Sequence, residues 1–130
     1  MIVLDTHVLV YDAVAPSRLS ARARKAIEAG FDQDALCCAD ISLWEIAMLI
    51  ARRRIDCGPD AGQFLNHLLM ARRVKPIAIT AEIAVLAQSD AFMHGDPADR
   101  LIAATAQLHK ASLVTSDAKL RALPGVSTIW

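Results

Sequence analysis

Four acidic residues, far apart in the sequence, are the side chains best suited to chemistry: Asp5, Glu45, Asp99 and Asp117. Carboxylates that are packed together repel one another unless a proton or a cation lies between them. Hard divalent cations in proteins prefer oxygen ligands of this kind. If the fold brings the four acids to one place, the sequence predicts a site for a divalent cation.

Asp99 belongs to the most distinctive stretch of the chain, residues 94–106, which reads HGDPADRLIAATA. Within it, Asp96 has the position of a helix N-cap, and Pro97 suits the first helical residue because its missing N–H costs nothing there. Asp99 then falls in the first turn, at the positive end of the helix dipole. The stretch therefore predicts a helix that begins near Asp96 with two acids at its start.

Each acid also has a purely structural interpretation. Asp5, Asp96 and Asp117 could do no more than cap helices. Ser42 and Glu45 have the spacing of a capping box, in which the Glu45 carboxylate would bond back to the amide of Ser42. This interpretation is weaker for the acids taken together, because separate helix caps need not share one edge of a fold.

The elements that must position these acids alternate along the chain between short apolar strands and helices. Strands are predicted at residues 1–4, 35–39, 75–79, 111–115 and 126–130. Helices are predicted between them, at 8–11, from 17 or 20 to 28 with Gly30 closing it, at 42–54, 61–73 and 81–89, from Pro97 to the fourth strand, and at 117–123. This alternation predicts an α/β fold in which helices flank a central, mostly parallel sheet.

The order of the elements places the acids at one edge of that sheet, the edge beyond the carboxyl ends of the strands, where ligands gather in such folds. Asp5 directly follows the first strand and Asp117 directly follows the fourth. Glu45 lies at the start of the helix after the second strand. The loop before Asp99 can reach the same edge. The sequence therefore favours one shared acidic site over separate caps.

Composition limits the classes of partner. Fourteen basic and fourteen acidic residues cancel, so no strong overall field attracts nucleic acid or an anionic membrane, and an RNA partner would have to be met by local patches. The arginines at 52–54 and 72–73 come at helix ends and are candidates for holding phosphates. The length of 130 residues is that of one domain, and we expect residues 1–130 to form it.

The chain has the composition expected of a cytoplasmic protein. The longest apolar run is interrupted by Glu45, so no membrane span is predicted, and we see no secretory signal. Cys37, Cys38 and Cys57 are odd in number and lack C-x-x-C spacing, which predicts reduced cysteines in the core. No G-x-G-x-x-G motif occurs, which disfavours dinucleotide binding.

Four stretches together resemble one known family. They are IVLDTH at residues 2–7, SLWEIA at 42–47, HGDPADRLI at 94–102 and VTSD at 114–117. In this order they are similar to PIN-domain ribonucleases and, among these, to the VapC toxins of bacterial toxin–antitoxin pairs. The resemblance extends over essentially the whole chain, and it implies a PIN-like three-layer sandwich.

The resemblance also implies roles for individual residues. The acids of the quartet Asp5, Glu45, Asp99 and Asp117 would be catalytic and would bind Mg²⁺ or Mn²⁺. Four further residues would have secondary roles: Asp96 as an additional acid, and Thr6, Ser42 and Thr115 as small polar residues that orient the quartet. His7 departs from the family pattern, since many relatives carry Ser or Asn there. This departure affects the expected local contacts with the substrate and not the quartet.

The reaction implied by the resemblance is hydrolysis of an RNA phosphodiester bond. One metal ion would generate the attacking hydroxide, and a second, if present, would stabilise the leaving oxygen. The implied partners are an RNA substrate, a second copy in a homodimer, and a VapB-like antitoxin whose arginine or lysine pairs with the acids. No membrane partner is expected.

Two alternatives differ in class from a nuclease. The first is a PIN-like interaction module without catalysis, which the presence of all four acids argues against. The second is a receiver-type phospho-acceptor domain, which has a similar length and alternation. That domain would need an aspartate at the end of a central strand, whereas the corresponding acid here, Glu45, is predicted within a helix.

Overall fold

Five short strands form one sheet in residues 1–92 and 95–130, the part of the chain that this computed structural model describes. The strands are β1 (Ile2–Leu4), β2 (Leu36–Ala39), β3 (Lys75–Ile77), β4 (Ser112–Val114) and β5 (Thr128–Ile129). They lie in the order β3-β2-β1-β4-β5, and every neighbouring pair is parallel. The central β1 places Val3 opposite Cys37 on one side and Leu113 on the other. The predicted parallel α/β sheet is confirmed, and Pro76 lies on an edge strand, where its missing N–H is tolerated.

Helices follow each strand except the last. They are α1 (Thr6–Val14), α2 (Ala21–Asp32), α3 (Ile41–Ala51), α4 (Ala61–Ala71), α5 (Ala81–Ala87), α6 (Pro97–Leu108) and α7 (Ala118–Arg121). Single 3-10 turns occur at Pro16–Arg18 and Asp90–Phe92. In the described residues, no helix is both long and apolar enough to cross a bilayer.

Side-chain caps fix several helix starts where the sequence predicts them. The hydroxyl of Ser20 accepts from the amide of Ala23 at 3.0 Å, and that of Thr80 accepts from the amide of Ile83 at 3.2 Å. These caps begin α2 and α5. The capping residues satisfy amides that the first helical turn leaves without a partner.

Alternate residues of the strands point to opposite faces, so the sheet has a core on each side. Leu4 and Val114 pack on one face with α1, α2 and α4. Val3 and Leu113 pack on the other face with α5 and the alanine-rich α6. The result is three layers, helix, sheet and helix, as expected for a PIN-like sandwich.

Two details differ from the sequence prediction. Gly30 does not end α2, which continues to Asp32; it lies inside the helix, where a Cβ would overlap the side chain of Leu36. Cys57 is half-buried in the loop after α3 and is not a core residue, unlike Cys37 and Cys38, which are buried in β2. His94, at the start of the distinctive stretch, lies outside the described residues.

Candidate functional site

The four acids of the predicted quartet lie at the carboxyl edge of the sheet. Asp5 immediately follows β1, and Asp117 comes three residues after the end of β4. Glu45 is carried by α3, which follows β2, and Asp99 lies in the first turn of α6. They are close enough to interact, because the charges of Asp5, Glu45 and Asp117 all raise the pKa of Asp99. The fold thus brings together residues separated by as many as 112 positions in sequence.

Asp5 is buried, with 3% of its surface exposed, and both of its carboxylate oxygens are held. Oδ1 accepts from the amide of Thr6 at 2.8 Å, and Oδ2 accepts from the hydroxyl of Thr115 at 2.7 Å. The backbone amide of Asp5 donates to the carbonyl of Val114 at 3.1 Å. Burial raises the pKa of Asp5, while the bonds from Thr115 and Thr6 favour the charged form and lower it. The carboxylate therefore has one fixed orientation.

Glu45 is oriented by a buried pair of hydroxyls. Its Oε1 accepts from the hydroxyl of Thr6, whose oxygen is also 2.9 Å from the hydroxyl oxygen of Ser42. Thr6 has a single proton to give and a carboxylate can only accept, so Ser42 is the donor to Thr6. Burial is the main cause that raises the pKa of Glu45, and the nearby charges of Asp5 and Asp96 raise it further.

The capping-box interpretation of Ser42 and Glu45 is wrong. Helix α3 begins at Ile41, so both residues are inside the helix and Ser42 is not its N-cap. The N-cap is Asp40, whose side chain makes no capping bond; instead its Oδ2 accepts from the amide of Ile79 at 3.2 Å. Glu45 is therefore available to face Thr6 and the other acids.

Asp117 caps the short helix α7. Its Oδ1 accepts from the amides of Lys119 at 2.8 Å and Leu120 at 3.0 Å. Its own amide donates to the hydroxyl oxygen of Thr115 at 3.0 Å, and that same hydroxyl donates to Asp5. Thr115 thus connects the two acids that follow β1 and β4. Asp117 can therefore both cap α7 and belong to the acidic site.

Asp96 and Asp99 lie at the start of α6, as predicted. Asp96 is exposed and caps the helix, since its Oδ1 accepts from the amide of Ala98 at 2.8 Å, and Pro97 occupies the first turn. Asp99 is partly buried, and its pKa is raised from 3.8 to about 7. Burial is the largest cause, followed by the charges of Asp5, Asp117 and Glu45. This carboxyl group is the one most strongly affected by the convergence of acids.

The donor chemistry of the site suits a hard divalent cation, because it consists of carboxylates. For Asp5, Glu45 and Asp99, burial and then the charges of neighbouring acids raise the pKa and so disfavour the charged form. The side chains are not grouped tightly, however. Across residues 1–92 and 95–130, no three His, Cys, Asp or Glu side chains stand close enough together to hold a metal ion as they are placed. The residues therefore fit a cation by type and by charge, with the carboxylates further apart than in a closed set of ligands.

The structure places two arginines where the sequence did not predict them, and one of these, Arg72, was a candidate for holding phosphates. The guanidinium of Arg72 is paired with Asp12 at 2.9 Å and with Glu28 at 3.0 Å, so it does not point to a phosphate site. Arg18, which belongs to no sequence motif, lies with its Cζ atom 4.4 Å from the ring centroid of Tyr11. Its position depends on the 3-10 turn that follows α1, and no sequence spacing indicates it.

Comparisons with known proteins agree with the fold. Residues 2–126 match the PIN domain family. The chain is 39% identical over 132 residues to Ribonuclease VapC22 of Mycobacterium tuberculosis, an alignment that covers 99% of this chain and 98% of that protein.

Two solved structures share the fold at low sequence identity. One is the crystal structure of VapBC2 from Rickettsia felis bound to a DNA fragment from their promoter, with a TM-score of 0.70 and 20% identity over 98% of this chain and 97% of that one. The other is a toxin–antitoxin complex from Klebsiella pneumoniae, with a TM-score of 0.63 and 24% identity over 98% and 97% of the two chains. From the family match and the identity to a VapC protein, we conclude that the chain belongs to the PIN-domain family, as a member of its VapC group.

Proposed function

We propose that this chain is a metal-dependent endoribonuclease that acts in the cytoplasm as the toxin of a toxin–antitoxin pair. The observation that carries the proposal is the convergence of Asp5, Glu45, Asp99 and Asp117 on one edge of the sheet, from four separate elements. The 39% identity to a protein named a ribonuclease supports the same activity. The alternatives, an inactive interaction module and a receiver-type domain, have no comparable support, and Glu45 lies within α3 where a receiver domain would need a strand-end aspartate.

The four acids are the residues that would hold Mg²⁺ or Mn²⁺. A bound ion of this kind supplies Lewis acidity at the phosphate and lowers the pKa of water, which makes a nucleophile available at neutral pH. The raised pKa of Asp99 has a direct consequence for this step. Because its carboxyl group holds a proton up to about pH 7, Asp99 must release that proton before it can act as an anionic ligand.

The remaining residues of the site orient the acids. Thr115 and the amide of Thr6 hold the two oxygens of Asp5, and the Thr6 hydroxyl holds Glu45. Ser42 keeps Thr6 in place from α3. This buried network supports the view that the carboxylates are preorganised for a common task, since each hydroxyl bonds across elements distant in sequence.

The partners we propose are an RNA substrate, an antitoxin of VapB type and a second copy of the chain. The antitoxin is supported by the structural neighbours, which come from a VapBC structure and from a toxin–antitoxin complex. An arginine or lysine of such a partner would pair favourably with the acidic edge and would compete with a cation for it.

The proposal is tested by incubating the purified chain with total cellular RNA in the presence of Mg²⁺ or Mn²⁺, with EDTA, and with EDTA followed by excess metal. We expect defined cleavage products that EDTA abolishes and that added metal restores. Intact RNA under every condition would favour the inactive interaction module. Cleavage that persists in EDTA would contradict the metal dependence but would still support a nuclease activity.

A further inference from the structure

A groove of about 570 Å³ lies beside α1, with its other wall formed by the end of α3 and the segment that follows it. Apolar side chains line both walls: Val10 and Val14 from α1, and Leu49 and Ile55 from the opposite side. The volume is within the range of about 300–1,000 Å³ that is typical of ligand sites. The groove is therefore large enough for part of an extended ligand, and its walls are partly apolar.

Nitrogen donors are concentrated along this groove. His7, Arg18 and Arg54 line it and are exposed, whereas Asp56 is the one acid among its lining residues. The chain as a whole has equal numbers of acidic and basic residues, so this is a local excess of donors. It is the type of local patch through which a neutral protein can meet phosphates.

The donors are ordered in a row that begins at the acids. His7 follows Asp5 by two residues and lies in the first turn of α1, the helix that Asp5 caps. One helical turn further, the ring of Tyr11 lies with its centroid 6.2 Å from that of His7. The guanidinium of Arg18 lies over the Tyr11 ring, which holds it in place while leaving its N–H groups for a ligand.

We propose that this groove, defined by His7, Arg18 and Arg54, holds a single-stranded segment of the RNA substrate on one side of the bond to be cleaved. The inference rests on the proposed ribonuclease function. Arg18 and Arg54 would contact phosphates, and the apolar walls would receive unpaired bases, which favours a single strand over a duplex. A peptide could use the apolar walls, but it would not explain a row of donors that starts at the acidic site.

The test measures binding separately from cleavage. The probe is a short, fluorescein-labelled single-stranded RNA of mixed sequence, kept in EDTA and titrated with the chain at several salt concentrations. The variants are Arg18→Gln and Arg54→Gln. The matched controls are Arg22→Gln and Lys25→Gln, which each remove one positive charge from an exposed position on α2, outside the groove lining.

We expect each groove variant to raise Kd about tenfold, as for the loss of one charge-assisted hydrogen bond. The slope of log K against log salt should become shallower by about 0.7 for each single-strand phosphate that the variant no longer neutralises. The controls should retain the wild-type Kd and slope. Thermal unfolding of all four variants checks that they fold. If Arg18→Gln does not fold, the Kd of Arg54→Gln tests the groove independently.

Unchanged Kd and slope in both folded groove variants would overturn the inference, as would equal losses in groove and control variants. It would also be overturned if the groove variants lost only the capture of a co-purifying protein partner, because the groove would then serve a peptide. A parallel cleavage assay keeps the two proposals distinct. Groove-dependent RNA binding by a chain that cleaves nothing would support the groove and contradict the nuclease.

Discussion

Two threonines connect most of the acidic site. The hydroxyl of Thr115 donates to Asp5 and accepts from the amide of Asp117. Thr6 donates its amide to Asp5 and its hydroxyl to Glu45. Each threonine is close to an acid in the sequence, but its most informative partner is distant, 110 positions for the bond from Thr115 to Asp5. Local spacing predicts no such bonds; the resemblance to a family was what indicated these small polar residues.

Removal of the Thr6 hydroxyl should impair catalysis through Glu45. Thr6→Val keeps the shape of the buried side chain and removes the donor, so we expect kcat for RNA cleavage to fall by about tenfold to a hundredfold, the range for groups that orient a ligand. Thr6→Ser keeps the hydroxyl and should recover most of the activity. If Thr6→Val cleaves at the wild-type rate, or if Thr6→Ser loses as much as Thr6→Val, the positioning role is wrong.

Asp99 should make the metal-free protein less stable as pH rises. Its pKa is 3.8 in an ordinary environment and about 7 in the folded chain, so folding favours the protonated form. This contribution to stability is complete below about pH 4 and is lost as pH rises through 7. In EDTA at pH 8, Asp99→Asn should therefore be the more stable protein, by about 1 kcal/mol after allowance for solvent screening of this partly exposed group.

Denaturant unfolding of wild type and Asp99→Asn at pH 5 and pH 8 measures this effect. The stability difference in favour of Asn should be larger at pH 8 than at pH 5. A difference independent of pH would mean that Asp99 is not protonated near neutrality in the folded chain, and the electrostatic description of the site would then be incorrect.

At the scale of elements, an ion pair joins the ends of helices that lie on one face of the sheet. Arg72, which follows α4, bonds both oxygens of Asp12 on α1, at 2.9 and 3.1 Å. The same guanidinium reaches Glu28 on α2 at 3.0 Å. The side chain of Asp12 is 12% exposed, whereas that of Glu28 is 54% exposed. The two acids therefore provide a matched comparison of a shielded and an exposed partner.

Asp12→Asn should destabilise the fold more than Glu28→Gln. Loss of the charged acceptor at the shielded position should lower the free energy of unfolding by about 2 kcal/mol. Loss at the exposed position should lower it by less than about 1 kcal/mol. Both values are measured by urea denaturation at neutral pH. Equal effects of the two substitutions would contradict the assignment of this ion pair as a link between α1 and α4.

Elements with local signals were predictable, and those that depend on distant contacts were not. The strands, the caps at Ser20 and Thr80 and the start of α6 follow from apolar runs and capping residues. Two errors, at Ser42 and at Gly30, share one cause. A Ser-x-x-Glu spacing is the same at a helix start and inside a helix, and a glycine that ends a helix looks the same as one that makes room for Leu36.

At the scale of the whole molecule, the parallel sheet is what collects the acids. Because every strand runs in the same direction, residues that follow different strands meet at one edge, and this could be predicted without knowing the strand order. The distances between the carboxylates could not be predicted, since they depend on side-chain rotamers and on the hydroxyls that hold them. The groove along α1 could not be predicted from the sequence either, because Tyr11 and Arg18 come into contact only through the turn that follows α1.

We propose that the four acids form one site that takes up a divalent cation. Calorimetric titration with Mn²⁺ of the wild-type chain, Asp99→Asn and Asp32→Asn tests it most directly, since Asp32 is an exposed acid at the end of α2, outside the acidic cluster. We predict that the wild type and Asp32→Asn bind Mn²⁺ with equal affinity and that Asp99→Asn binds at least about tenfold more weakly. A wild type that takes up no Mn²⁺, or an Asp99→Asn variant that binds it as well as the wild type, would contradict the account.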